Sequence, residues 1–214
     1  MEIAPPRLPE DSAFVADVAL LVDAEEVVDA VFRGVALAGL VREHLSVERC
    51  IFSGCRFSGA VLAQARFSDV LFRNCDFSNA DLRGSAFQRV QFVDCKFTGA
   101  EFAETVFGSA VLARCRGEFV GFAAARFRRV RCEECILRSA VLSECRFEQT
   151  AFSACDLSTA EFFGTRLQGI SLADCDIRGI RLRDCASFEL RGARISPAQA
   201  LDLVKLLGVE FEDV

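Results

Sequence analysis

Eleven cysteines, a single histidine and 31 acidic side chains are the residues of this chain with the widest chemical reach. Seven of the cysteines, Cys55, Cys75, Cys95, Cys115, Cys135, Cys155 and Cys175, recur every 20 residues without a gap. Thiolates bind soft metals and neighbouring thiols can pair, so the spacing raises both metal and redox chemistry. His44 is the sole imidazole, beside Glu43, and no Ser-His-Asp or Cys-His arrangement can be built without it. Neither a Gly-rich phosphate loop nor a helix-borne metal motif is present, so no catalytic residue is identified and the chain is not expected to be an enzyme.

The elements that carry these cysteines have an unusual period. From Phe52 to Leu182 in steps of five there are 27 positions, of which 15 are Phe, 9 are Leu and one is Ile177. Only Gly117 and Cys132 break the series. Two residues before each large residue stands a compact one, mostly Ala, Cys, Val, Thr, Ser or Ile. A helix has a period of 3.6 and a strand of 2. A spacing of two within each quintet is an extended segment with both side chains on one face, and the three remaining polar residues must turn the chain before the next pair. Such a chain winds into a solenoid whose coils stack at the interstrand spacing.

The cysteines give the number of quintets per coil. Recurrence at 20 residues means four walls per turn and places the seven cysteines in one column, with Ala60, Ala80, Ala100, Val120, Ala140, Ala160 and Ile180 in the next. Phe67, Phe87, Phe107, Phe127 and Phe147 stack as a core ladder. The thiols of such a column lie parallel, one coil apart, and do not converge tetrahedrally, so they are expected to be inert core with no metal and no cofactor. The 21 Phe against no Tyr and no Trp fit a dry interior that needs no hydrogen-bond partner. Gly117 leaves a hole that Phe119 is expected to fill by folding back.

The quintets Cys75-Asp76-Phe77-Ser78-Asn79 and Ala80-Asp81-Leu82-Arg83-Gly84 resemble the pentapeptide-repeat family, whose pattern is a small residue, Asp or Asn, Leu or Phe, a small polar residue or Arg, then Gly. The match covers roughly residues 30 to 190. The resemblance implies an all-β solenoid, a right-handed quadrilateral β-helix similar in width to duplex DNA. The expected organisation is residues 1–44 as an N-terminal cap or irregular first coil, 45–194 as the β-helix, and 195–214 as a C-terminal helix and tail. Arg42 at a central position suggests that regular winding starts near residue 45. Ser196, Pro197 and Gln199 form an N-terminal capping pattern for a helix that Gly208 ends. Its apolar residues Leu201, Val204 and Leu207, with Phe211 in the tail, are the candidate dimer interface, because family members that act on DNA gyrase are similar at this end and dimerise through it.

No apolar run of about 18 residues exists, and the N-terminus lacks the basic segment of a signal peptide, so the expected location is the cytoplasm with no membrane association. Four-wall sorting of the charges gives a mainly acidic wall with Asp81, Glu101, Glu104, Glu144, Glu161 and Asp184, against Arg83, Arg181 and Arg183. The next wall is basic, with Arg66, Arg89, Arg126, Arg128, Arg129, Arg146 and Arg166 against Asp69 and Glu148. The gyrase-directed members are similar to DNA in presenting acidic rods. The resemblance therefore implies a homodimeric protein that binds DNA gyrase, and by extension topoisomerase IV, and protects it from a poison by partial DNA mimicry. The uninterrupted register is similar to the loop-poor immunity members rather than to those that counter quinolones with loops. The alternative is an interaction scaffold for another protein. Direct nucleic-acid binding is not expected, since a flat wall has no element to enter a groove and few exposed aromatics.

Overall fold

The computed structural model describes residues 3–9, 16–183 and 188–205. Its elements, in chain order, are α1 (Ala19–Asp23), β1 (Glu26–Val28), β2 (Val31–Arg33), β3 (Ser46–Ser53), β4 (Arg66–Arg73), β5 (Ala86–Val93), β6 (Val106–Ala113), β7 (Arg126–Glu133), β8 (Arg146–Ser153) and α2 (Pro197–Lys205). All strand pairs are parallel, and each residue faces the one 20 positions on: Phe67 opposite Phe87, Phe87 opposite Phe107, Phe107 opposite Phe127. Bridges such as Val61 to Asp81 and Arg56 to Asp76 continue the same register around the other two walls. The chain is a four-walled β-solenoid, as the five- and 20-residue periods require.

Nearly every quintet ends on one residue in the left-handed region, for example Gly59 at φ +65°, Gln64 at +59°, Asp69 at +56° and Asn74 at +52°. That single reversal turns the extended pair through a corner. Glycine enters this region at no steric cost and Asn or Asp at little, which explains the fifth position of the repeat. Aspartates one residue before the large side chain close the turn from the other side. Ser78 N–H donates to Asp76 Oδ1 at 2.9 Å and Ser158 N–H to Asp156 Oδ1 at 3.0 Å.

Inside, the rings stack almost face on face from coil to coil. Phe57 and Phe77 have centroids 4.7 Å apart at 2°, Phe67 and Phe87 4.9 Å at 4°, and Phe87 and Phe107 5.1 Å at 10°. Between walls of one coil they meet edge to face, as Phe97 and Phe102 do at 88°. Phe67, Phe87, Phe107 and Phe127 are fully buried and Phe147 partly so. Aromatic pairs of this kind contribute about 0.5–1.5 kcal/mol beyond their buried area.

Winding begins earlier than residue 45. β1 and β2 already pair with β3 in the 20-residue register, Val27 opposite Val47 and Phe32 opposite Phe52. Arg42 is tolerated in this first coil because its guanidinium caps α1, donating to the carbonyls of Leu21, Val22 and Ala24. Gly117 also resolves differently from expectation. A Cβ there would meet Val120 Cγ1 at 3.1 Å and Leu137 Cδ2 at 3.2 Å, so the larger Val120, standing in a column otherwise rich in alanine, has filled the space. Phe119 does not fold back; it sits at a corner with φ +59° and is 67% exposed. At the far end the register lengthens by three. Ser171 bridges Arg194, 23 residues on, and Leu167 N–H donates to Glu189 O at 2.8 Å.

Because Phe107 stacks on both Phe87 and Phe127, Phe107→Ala is expected to cost about 3–5 kcal/mol in chemical denaturation. Gly117→Leu is expected to overpack a filled site and cost about 1–3 kcal/mol, and a stabilised variant would show that the hole is real.

Candidate interaction walls of the rod

The cysteine column lies where the periodicity puts it. All ten described cysteines are free and buried, and eight of the thiols point at backbone oxygen of the preceding coil, among them Cys75 Sγ to Phe52 O at 3.5 Å, Cys95 Sγ to Phe72 O at 3.5 Å and Cys135 Sγ to Leu112 O at 3.3 Å. Among the described residues no group of three His, Cys, Asp or Glu side chains is placed to hold a metal ion. Burial pushes the Cys50 thiol up to about 11 and that of Cys145 up to about 12, and raises Cys132 well above its ordinary value. Such thiols are poor nucleophiles. The column supplies small, soft filling whose S–H finds a weak acceptor.

Function therefore belongs to the exterior. The wall centred on Leu82 carries the predicted acidic residues in two columns: Asp81, Glu101 and Glu161 in one, Glu104 and Glu144 at the corner beside it. They are not equivalent. Asp81 is held by Arg83, whose Nη2 lies 2.6 Å away and whose N–H donates at 3.1 Å, and this keeps its carboxyl below the usual range. Glu161 accepts from Ser143 Oγ at 2.7 Å and pairs with Arg181 at 3.4 Å. Glu101, Glu104 and Glu144 are exposed, with no cationic group within ion-pair distance among the described residues. Asp184 lies outside the described residues.

The wall centred on Phe67 divides into two halves. In its early coils Asp69, only 3% exposed, receives Arg89 through both oxygens, at 2.7 and 2.5 Å, and the Arg7 N–H at 2.9 Å. Burial alone would raise the Asp69 carboxyl, but the Arg89 guanidinium and the Arg7 N–H hold it below its usual range. Residues 3–9 thus form a strap along the corner of the rod, with Ala4 and Pro5 beside Gln88, Ser109 and Arg129. Ser109, Val111 and Ala113, on outward positions at this corner, are buried. Sequence reasoning missed the strap because its anchor is a backbone N–H, which no side chain advertises; Pro5, Pro6 and Pro9, which favour an extended chain, were the available signal. The later coils of the same wall carry the unpaired arginines.

At the C-terminal end the capping box forms as the sequence requires. Ser196 N–H donates to Gln199 Oε1 at 2.7 Å and Gln199 N–H to Ser196 Oγ at 3.3 Å. Gln199 also fastens α2 to the last coil, donating from Nε2 to Leu172 O at 2.8 Å and Cys175 O at 2.6 Å. Leu203 packs against the core, Val204 is half-buried and Leu201 is 55% exposed; Leu207 and Phe211 lie outside the described residues. Among the described residues no helix is long and apolar enough to cross a membrane.

Residues 50–89 match a family model described as pentapeptide repeats (8 copies), and residues 120–194 one described as a pentapeptide repeat region. Among solved structures, a trypsin-treated variant of QnrB1, described as a plasmid-mediated fluoroquinolone resistance protein, is 23% identical with a TM-score of 0.48, covering 88% of this chain and 90% of its own. Full-length QnrB1 is also 23% identical, with a TM-score of 0.41 over 86% and 90% of the two chains. HetL from the cyanobacterium Nostoc sp. strain PCC 7120, a pentapeptide repeat protein involved in heterocyst differentiation regulation, is 16% identical, with a TM-score of 0.35 over 79% and 86%. No curated protein matches the chain.

The buried Cys50 and Cys145 thiols fix a pH dependence. Their folded-state pKa is raised, so the stability they contribute is complete below the ordinary value of 9.0 and is lost as pH rises through the folded value, about 11 for Cys50. The chain has no Tyr to titrate in that range. Under reducing conditions the denaturation midpoint should be level from about pH 7 to about 8.5 and then fall steeply towards about pH 11, while the native protein resists thiol reagents at neutral pH. Rapid labelling of native Cys50 or Cys145 at neutral pH would contradict this.

Proposed function

We propose, from the premise that this chain belongs to the pentapeptide-repeat family, that it binds DNA gyrase and lowers the effect of a gyrase poison, without catalysis of its own. The observation that carries the reading is the set of exposed, unpaired carboxylates of Glu101, Glu104 and Glu144 on the Leu82 wall. A rigid rod that presents fixed negative charge along one side suits a basic groove built for duplex DNA, and complementary potential steers association as well as register. Asp81 and Glu161 contribute less, because Arg83 and Arg181 already neutralise them. The mimicry is one-sided.

The same reading places the protein in the cytoplasm and gives topoisomerase IV as a second target. It also makes α2 a dimer element: Leu201 projects an apolar side chain away from the coil that Leu203 packs on. Joining two rods end to end would double the length of the acidic stripe. The 20-residue register, unbroken from β1 to the Glu161–Arg181 bridge, favours a self-immunity role against a peptide-like toxin.

In a supercoiling assay titrated with purified protein across a panel of gyrase poisons, the intact chain should restore supercoiling against at least one poison. The triple variant Glu101→Lys, Glu104→Lys, Glu144→Lys should lose that protection by about 10-fold or more while keeping its melting temperature, since exposed substitutions shift stability little. A chain ending at Arg194 should run at half the mass of the intact protein in light scattering. Protection unchanged in the triple variant, or absent across the panel for the intact chain, would refute the reading.

A further inference from the structure

Many of the rod's arginines are neutralised by a nearby carboxylate, in several cases one coil away and in others two residues along the chain, as Arg83 with Asp81. Arg49 pairs with Asp29 at 2.7 Å, Arg89 with Asp69 at 2.5 Å, Arg114 with Asp94 at 2.7 Å and Arg181 with Glu161 at 3.4 Å. One cluster of five stands largely outside this pairing. On the later coils of the Phe67 wall, Arg126, Arg128 and Arg129 stand on β7, Arg146 on β8 and Arg166 on the coil that follows. Arg126 and Arg146 are direct register partners. Adjacent parallel strands lie about 4.8 Å apart, and like charges directly opposite each other destabilise the pairing.

The neighbourhood does little to relieve this. Among the described residues, Arg126, Arg129 and Arg146 have no carboxylate within ion-pair distance. Glu148 reaches only Arg128, at 3.9 Å with both side chains 70% exposed, and Arg166 stands over the Phe188 ring at 5.5 Å. All five guanidiniums are exposed. An open cleft of about 500 Å³ separates Arg146 from Arg166, with Gly164 and the edge of Phe147 in its lining and Glu144 at its rim.

We infer that this arginine ladder is a binding surface for the phosphate backbone of nucleic acid. The cations are spread along the rod and do not converge, so they suit an extended polyanion better than a small anion. Three successive coils span about 10 Å, over which one DNA strand carries about three phosphates. Guanidinium forks match phosphate oxygens. The wall lacks a helix or ribbon to enter a groove, and that was the ground for expecting no nucleic-acid binding; it excludes base reading but leaves phosphate contacts intact. The binding is therefore independent of sequence and confined to one half of one wall of a chain whose net charge is −6. It does not rest on the gyrase reading.

The test is fluorescence anisotropy of a labelled mixed-sequence 20-base-pair duplex with the full chain, from about 25 to about 200 mM salt, in the absence of any topoisomerase. Affinity should fall with salt at a log–log slope of about −3, as expected for three neutralised phosphates at about −0.9 each. Arg126→Gln, Arg146→Gln, Arg166→Gln combined should weaken binding at least about 10-fold at low salt and bring the slope to about −1 or shallower. Its melting temperature should be equal or higher, because a repulsion is removed. Arg114→Gln, whose partner is Asp94, should bind like the parent. No binding at about 25 mM salt, a triple variant that binds like the parent, or competition by polyglutamate as effective as by unlabelled duplex would each overturn the inference, the last in favour of an acidic protein partner.

Discussion

Everything in this molecule depends on the stacking of residue i on residue i+20. A backbone that makes most of its hydrogen bonds to the coil before and the coil after, and only single-turn bonds such as Ala80 N–H to Phe77 O of its own, has little local structure, so one quintet is stable only between two others. The Phe ladders supply what the backbone cannot: flat rings at 4.7 to 5.1 Å, matching the strand spacing, so that aromatic contact and hydrogen bonding are satisfied by one geometry. The cysteine and alanine columns fill the smaller corners. Chemical reactivity is the property this interior gives up, as the buried, elevated thiols of Cys50 and Cys145 show.

A core so uniform leaves the exterior free to vary, because any side chain that tolerates an extended or left-handed position can stand outside. Charge is consequently organised in columns. Several arginines pair with acids, either one coil away or two residues along the chain, and those pairs are structural neutralisation rather than recognition. Two clusters largely outside such pairing are the residues proposed to meet partners: Glu101, Glu104 and Glu144 on one wall, and the arginine ladder on the wall beside it.

Much of this was legible in the sequence. The five-residue period gave the walls, the 20-residue recurrence of cysteine gave the coil, and Ser196 with Gln199 gave the cap on α2, since each is a local or strictly periodic signal. Pairing of charges was also present in the sequence, as Asp69 with Arg89 or Asp94 with Arg114, but becomes visible only when the chain is written in rows of 20. Other features were out of reach. Arg42 looked like a defect because the carbonyls it caps belong to α1, and the fate of Phe119 turned on whether one extra pair of methyl groups on Val120 filled the space at Gly117. The strap hangs from a main-chain N–H bound to Asp69, a contact with no residue pattern.

Native-state hydrogen exchange across the whole rod tests the central claim most directly. If coil-to-coil stacking is the single source of stability, the amides of β4 to β8 will open as one cooperative unit, with protection falling smoothly towards both ends and no local minimum at Gly117. Two separately opening halves that meet at that coil would contradict it, and would show that Val120 fills the space without restoring the continuity of the stack.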